Sequence, residues 1–568
     1  MITLEFTSMI PLDIPENQQT TPWVQSLLRF IEEQNRVIQE QNRVIQEQNR
    51  VIQEQSRVIQ EQTEQIAALK TTVQELRDEI TRLKNTPKRP KFRPSKTPPQ
   101  DKSKNTSAPG AYQAPRNAIP KKSKEEVIVK ATDMPEGSRF KGYADYSIQE
   151  LTLTAKDVLY RLEVWQAPDG SIVKAALPAG VEGSHFGPDL RALIHGLYAS
   201  GMTQPALFEF VCSVGIQISE GQIHNILMGE AEGYAKHSEA ILSAGLQEAP
   251  YIRTDDTGAR HQNQRGYCTH IGGQYFAYYK TTASKSRLNF LQILAQGKEG
   301  YRVNDAFIWH LFSSGIEDDL LNAFEAHKGK QYNTKKGMTR LLNEIGVTGK
   351  RLRLICLEAG LIGLIQEKQL KRGQVLLSDR AGQFAILDHA GCWVHMERPL
   401  RKLLASTPEI ETEIQQVREA IWLLYEQVKE ASLSQQGKES VSKAYDALIG
   451  REAVSPGVRE VLNNFKNYRE EMLKALDNPG LPLHNNDSER DIRRVVKFRD
   501  ISGGTKSEEG KQFRDGLMTL KQTCYRIGQN FWEYLRSWFR EEPIDLAECV
   551  RQCYCNVATP ASGPAMSF

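Results

Sequence analysis

The sequence predicts a multidomain chain of mixed α/β class. Three observations carry that expectation. A strict seven-residue repeat lies near the N-terminus, short amphipathic helical stretches fill residues 186–240, and strand-like runs begin after Pro250 and lead to an apolar strand ending in an acid. At 568 residues the chain is too long for one ordinary domain, and 39% hydrophobic residues can build sizeable cores. Net charge is only +3, so local charge matters more than the total. Eight cysteines in this length do not form a disulfide framework. Cys549, Cys553 and Cys555 crowd together, but no histidine or second Cys pair follows, so they read as free thiols rather than a zinc clip. The opening residues MITLEFTSMIPLDIPENQQ carry acids and no basic segment, unlike a signal peptide. No apolar run approaches a membrane span. A reduced, cytoplasmic protein is expected, with no membrane partner.

After a tail at 1–29, residues 30–85 are expected to form a coiled coil. QNRVIQE occurs at 34–40, 41–47 and 48–54, then as QSRVIQE at 55–61. With Ile38 at position a, the a series continues through Ile45, Ile52, Ile59, Ile66, Val73 and Ile80. The d series is Gln41, Gln48, Gln55 and Gln62, then Leu69, Leu76 and Leu83. An Ile/Leu seam favours a parallel dimer, whereas Gln at d weakens the first half. A homodimer through this coil follows, with a single exposed helix as the simpler alternative.

Residues 86–124 are expected to be a disordered linker. They hold eleven Lys and Arg against one acid, Asp101, among many prolines, which bar helix and sheet. Such a block binds polyanions non-specifically or serves as a solubilising spacer. Residues 125–185 read as a small mixed region, with VLYRLEVWQ and SIVKAALP as strands around an Asp169-Gly170 turn.

Helical periodicity then takes over at 186–240. PDLRALIHGLYASGM ends near Gly201, TQPALFEFVCSVG ends at Gly215, and ISEGQIHNILMGEAEGYAKH starts behind Ser219 as its cap. Short helices around a brief turn describe a helix-turn-helix, or equally an ordinary bundle. In the first case the third helix reads the DNA major groove, with Gln222, His224 and Asn225 exposed near its start.

From 250 to 500 the order is three strands (PYIRTDDTGAR, QRGYCTHIGG, QYFAYYKTT), a helix (SRLNFLQILAQG), and a buried strand in GQVLLSDRAG. That is the order of a ribonuclease-H-like domain. Insertions are expected at about 300–372 and 398–480, both helical, and a helical region from 501 to about Arg540. Asp255 falls on the first strand, Asp379 at the end of the fourth, and Glu489 at a later helix start. Carboxylates so ordered suit two-metal phosphoryl transfer, in which Mg2+ with hard oxygen ligands serves both the attacking and the leaving oxygen. Within LPLHNNDSERDIRR, Asn486-x-x-Glu489 also reads as a capping box, and Glu489 and Arg493 pair at i, i+4. Cys392, Trp393 and His395 read as core packing rather than as a nucleophile pair.

TDDTGAR, LLSDRAGQF, GCWVHMERPLRKL and LHNNDSERDIRR, in this order, resemble the insertion-sequence 66 family of DDE transposases. The resemblance covers most of the chain. It implies a DNA transposase whose Asp255, Asp379 and Glu489 bind two Mg2+ ions, with Mn2+ as a substitute. Asp255-Asp256-Thr257 stands where the family reads Asp-Glu-Thr, so Asp256 remains a rival for the first acid, because alternate strand residues face opposite ways. Arg490, Arg493, Arg494 and Lys497 would hold phosphates on the helix that carries Glu489. The resemblance further implies double-stranded DNA as substrate, small accessory proteins of the element, and work at the bacterial nucleoid. Two departures stand out. The family's Cys-rich zinc segment is missing, since no Cys precedes Cys212, so no zinc is expected; and 124 positions separate Asp255 from Asp379. The competing reading is a dimeric DNA-binding protein that descends from such an enzyme and has lost its chemistry.

Overall fold

The computed structural model describes residues 22–83, 127–130, 132, 135–144, 146, 148, 150–297, 300–368, 370–371 and 373–558. The basic linker expected at 86–124 and the first part of the tail lie outside them. Two compact units are present, Met1–Asn105 and Thr106–Phe568.

In the first unit α1 runs unbroken over Pro22–Leu83, without Gly or an internal Pro to interrupt it. Val37, Ile38, Val44, Ile45 and Val51 stand about half exposed along its first half, so among the described residues nothing covers the apolar stripe of the repeat there.

The second unit begins with a small hairpin, β1 (Val164–Gln166) and β2 (Ile172–Lys174), closed at Asp169-Gly170. The Asp169 carboxylate accepts the Ser171 amide and hydroxyl, and Gly170 supplies the positive φ of 87°. The strands are shorter than expected: VLYRL forms none. Four helices follow: α2 (Pro188–Ala199), α3 (Gln204–Ser213), α4 (Glu220–Met228) and α5 (Ala231–Glu248). Pro at the first turn starts α2, and Ser219 caps α4 by accepting the Gln222 amide. The single helix expected from Ser219 to His237 is instead two, α4 and α5, broken at Gly229-Glu230.

A five-stranded sheet forms the centre. It contains β3 (Tyr251–His261), β4 (Gln264–Gly272) and β5 (Ala277–Thr282), then, after α6 (Arg287–Leu294) and an insert, β8 (Val375–Ser378) and β9 (Asp388–Gly391). The insert holds a two-residue ladder of β6 (Tyr301–Arg302) with β7 (Gln331–Tyr332) and helices α7 (Asp305–Ser313), α8 (Asp318–Glu325), α9 (Lys335–Glu344) and α10 (Lys350–Lys368). Strand order is β5-β4-β3-β8-β9, with β4 antiparallel to both neighbours and β3, β8 and β9 parallel. The turn between β3 and β4 uses Gln262 and Asn263 at φ 49° and 61°, a two-residue hairpin loop of the primed kind. β9 was not foreseen; four residues, DHAG, carry no strand signature of their own.

A second helical segment follows: α11 (Trp393–Lys402), α12 (Pro408–Ser434), α13 (Lys438–Ile449), α14 (Pro456–Asn467) and α15 (Arg469–Leu473). The chain closes with α16 (Asn486–Ser502), α17 (Glu508–Ile527), α18 (Phe531–Phe539) and α19 (Leu546–Ala558), so helix continues past the expected end near Arg540. α17 and α19 pack on α5, and α18 packs on α2, which ties the stretches 186–240 and 501–568 together around the sheet.

The sheet separates two cores. Leu376 belongs to one core with Leu242 of α5, Phe290 of α6 and Ile365 of α10. Its neighbours Val375 and Leu377 belong to the other, with Trp393, Tyr445 and Phe465 of the second helical segment. The alternation is the period of two of a strand covered on both faces. Among the described residues no helix is long and apolar enough to cross a membrane.

Candidate active site

β3 and β8 run parallel at the middle of the sheet, and their paired register ends at Arg253 opposite Leu377. Two residues further along each strand stand Asp255 and Asp379. The side-chain period of two puts Asp255 on the face of Arg253, and Asp379 lies near enough for its charge to act on Asp255. Asp379 is the first residue after β8, where the chain turns away. Its carboxylate accepts the Ala381 amide at 2.9 Å, which holds the turn. Carboxyl ends of parallel strands are where an open sheet exposes side chains and backbone to a ligand.

α16 brings the third acid over that face. Its start is fixed from three directions. Asn485, fully buried, donates its side-chain amide to the Thr254 carbonyl at 2.7 Å, and its backbone amide meets Cys392 Sγ at 3.3 Å. The Trp393 amide donates to the Leu483 carbonyl at 3.0 Å. Arg253 of β3 pairs with Asp487 in the first turn of α16. Burial works against the Asp487 charge, but Arg253 and then Arg490 pull its carboxyl down to about 2. The capping box expected on Asn486 is not formed: Asn485 occupies the cap position, Asn486 is the first helical residue, and the Asn485 side chain serves the strand instead of the helix. The i, i+4 pair is present, Arg493 to Glu489 at 3.6 Å.

Glu489 lies two residues beyond Asp487, on the turn that Arg253 anchors. His395 Nε2 stands 3.4 Å from its carboxylate and Arg398 Nη2 at 3.2 Å. Both come from α11, where i and i+3 share a face. Arg398, Gln383 and Lys285 escaped the sequence reading, and His395, expected as core packing, instead stands partly exposed beside Glu489. The i, i+3 spacing of His395 and Arg398 was the available signal; the other two are placed by the tertiary fold alone.

Electrostatics ties the three acids together. The Asp255 carboxyl is pushed up to about 7, first by burial, then by the charge of Asp379, with Asp256 and Glu489 adding to it. Asp256 is also raised, by burial, but Lys285 and a 2.6 Å hydrogen bond from Gln383 Nε2 counter this. The Asp379 charge raises Asp256 as well, so the two acids differ in that Asp256 has Lys285 and Gln383 as partners, whereas Asp255 meets the charges of both Asp379 and Glu489. Among the described residues no three His, Cys, Asp or Glu side chains are arranged to grip one metal ion. Mg2+ does not require that: it keeps several waters and uses one or two carboxylates, with substrate phosphates completing the shell. An acid whose proton affinity is raised by burial and by neighbouring carboxylate charges marks a place that a divalent cation would relieve.

The cations of α16 line one face. Arg490, Arg493, Arg494 and Lys497 are exposed and spaced i, i+3, i+4, i+7. Arg490 pairs with Asp487, and Arg494 lies over the Tyr525 ring at 5.3 Å. In α4, Gln222 is half-buried, while His224 and Asn225 are exposed. Cys392 and Trp393 are wholly buried, as packing predicts. The three C-terminal cysteines lie on α19 as free thiols.

Residues 373–513 match the family model described as "Transposase IS66 family". That stretch holds Asp379, Glu489 and the basic face of α16. The chain is also 35% identical over 303 residues to the uncharacterized protein y4jO of Sinorhizobium fredii (strain NBRC 101917 / NGR234), an alignment that covers 52% of this chain and 93% of that protein.

Proposed function

Because this chain belongs to the IS66 family of transposases, we propose that it cleaves DNA at the ends of an insertion sequence and joins them to target DNA. What supports this reading is the surroundings of Asp255, whose carboxyl is raised first by burial and then by the charges of Asp379 and, less, of Glu489. The strand order, with one antiparallel strand beside a central parallel pair, supports a ribonuclease-H-like domain.

In this reading Asp255, Asp379 and Glu489 would hold two divalent ions, Mg2+ or Mn2+, which would supply activation of the attacking oxygen and stabilisation of the leaving oxygen of a phosphodiester. The chain's own residues do the rest. Arg253 and Asn485 hold α16 against β3, so that Glu489 is presented at the strand ends. His395 and Arg398 orient the Glu489 carboxylate, and Arg398 offsets its charge. Arg490, Arg493, Arg494 and Lys497 grip phosphates of the bound duplex. Water attacks first and frees a 3′-hydroxyl, and that hydroxyl then attacks target DNA in line. α2 to α4 act as a helix-turn-helix for the element ends, with Gln222 and Asn225 toward the groove. The repeat of α1 pairs two protomers as a parallel coiled coil, because two ends must be brought together. Small accessory proteins assist, and the work takes place at the bacterial nucleoid.

The test is cleavage of labelled DNA carrying the gene's own flanks, with Mg2+ or EDTA. Discrete, metal-dependent nicks are expected from the wild type and from Asp256→Asn. Asp255→Asn, Asp379→Asn and Glu489→Gln should each lower the rate at least about 1,000-fold, the scale on which a preorganised electrostatic contact acts. End binding without nicking in any variant would support the DNA-binding relative that has lost its chemistry. Nicking that survives all three substitutions would sink the site.

A further inference from the structure

Asp379 sits between two residues that are both tied to one distant carboxylate. Ser378, the last residue of β8, is fully buried. Its hydroxyl accepts the Arg380 amide at 3.0 Å and lies 2.8 Å from His389 Nε2 on β9. His389 Nδ1 lies 2.6 Å from Glu471 on α15. On the other side of Asp379, the Arg380 guanidinium pairs with the same Glu471 oxygen and lies over the Tyr468 ring, 3.1 Å from its centroid. The circuit assigns its protons: Ser378 accepts from Arg380 and so donates to His389 Nε2, which leaves the imidazole proton on Nδ1 for Glu471.

Arg380 has φ 71°, the left-handed region that a residue with a Cβ adopts rarely and keeps only when its surroundings over-determine it. The circuit does that. It fixes the residues before and after Asp379, and with them the direction in which the Asp379 carboxylate leaves the strand. The order Ser–His–Glu is that of a hydrolytic triad, but the Ser378 hydroxyl is enclosed and engaged on both sides, so it is no nucleophile.

We propose that Glu471, acting through His389 and Ser378 on one side and Arg380 on the other, is a positioning residue for Asp379. The helical segment that brings Glu471 back to the strand end is then part of the divalent-cation site. The proposal rests on the reading of Asp379 as a metal-holding acid. Partners behind a ligand typically change metal affinity 10- to 100-fold when removed.

The experiment is Mn2+ binding to the full chain by calorimetry, with unfolding temperature and DNA-end binding measured alongside. Glu471→Gln and His389→Gln are expected to weaken Mn2+ binding at least about 10-fold, to leave end binding unchanged, and to recover nicking as Mn2+ is raised. Ser378→Ala, which removes one link only, should fall between these and the wild type, and it carries the test if a larger change prevents folding. Wild-type Mn2+ affinity in these variants, with affinity lost in Asp379→Asn, would overturn the positioning role and leave the carboxylate site standing. Wild-type affinity in Asp379→Asn itself would remove the metal-holding role and the proposal with it.

Discussion

At the scale of single residues the question is which of two adjacent acids on β3 does the work. The sequence leaves Asp255 and Asp256 level, since both stand in TDDTGAR. The fold separates them by face. Asp255 shares the face of Arg253, which binds α16, while Asp256 is bonded by Gln383 and faces Lys285. A measurable consequence follows for stability. The folded Asp255 carboxyl titrates at about 7 against an ordinary 3.8, so the folded chain holds that proton more tightly than the unfolded chain. Its contribution to stability is full below pH 4 and is lost as pH rises through 7. Asp255→Asn removes the loss. In EDTA the variant should gain stability relative to wild type by about 2 kcal/mol between pH 5 and pH 8. Divalent cation should then stabilise the wild type and not the variant. A pH-independent difference in denaturant unfolding would show that Asp255 does not stand in a like-charge cluster.

At the scale of elements, α16 shows what a local motif can and cannot specify. The spacing of its acids and bases is legible: Glu489 and Arg493 pair as i, i+4 dictates, and the four cations fall on one exposed face. The cap was misread by one residue because Asn485 and Asn486 are chemically equal in sequence. What distinguishes them is the Thr254 carbonyl, 231 positions away, which takes the Asn485 side chain. Arg398 was hidden, and His395 was taken for core packing, for the same reason: a helix face can be read, but not the acid it will meet. The exposed face of α16 makes its own prediction. Each phosphate contact contributes about one unit to the salt slope of DNA binding. Arg493→Ala with Lys497→Ala should therefore flatten the plot of log affinity against log salt by about two units, while specificity for the element ends stays unchanged. An unchanged slope would place the duplex elsewhere on the protein.

At the scale of the whole molecule, much of the order of elements was readable because most strands and helices carry their own periodicity, from the Ile heptads of α1 to the apolar run of β8. Topology was readable only in part. The parallel pairing of β3 with β8, across an insert of four helices, depends on contacts between residues more than 120 positions apart, and β9 pairs through backbone groups whose side chains give no warning. The first unit carries the remaining prediction. Val37, Ile38, Val44, Ile45 and Val51 form a stripe that nothing among the described residues covers, and hydrophobic residues repeating every seven positions are buried by winding against a second helix. A lone helix of this length would leave the stripe in water, so the stable form of the full chain should be a dimer of 64.3 kDa protomers. Removing residues 22–83 should yield a monomer by light scattering. Gln at four successive d positions weakens the seam, so Gln41→Leu with Gln48→Leu should raise the dimer's melting temperature. If pairing serves function, the shortened chain should still nick one end at the wild-type rate and lose only the joint cleavage of two ends on one DNA. Equal loss of both reactions would mean that α1 supports the fold of the catalytic unit, and a dimer that survives the deletion would place the interface in residues 106–568.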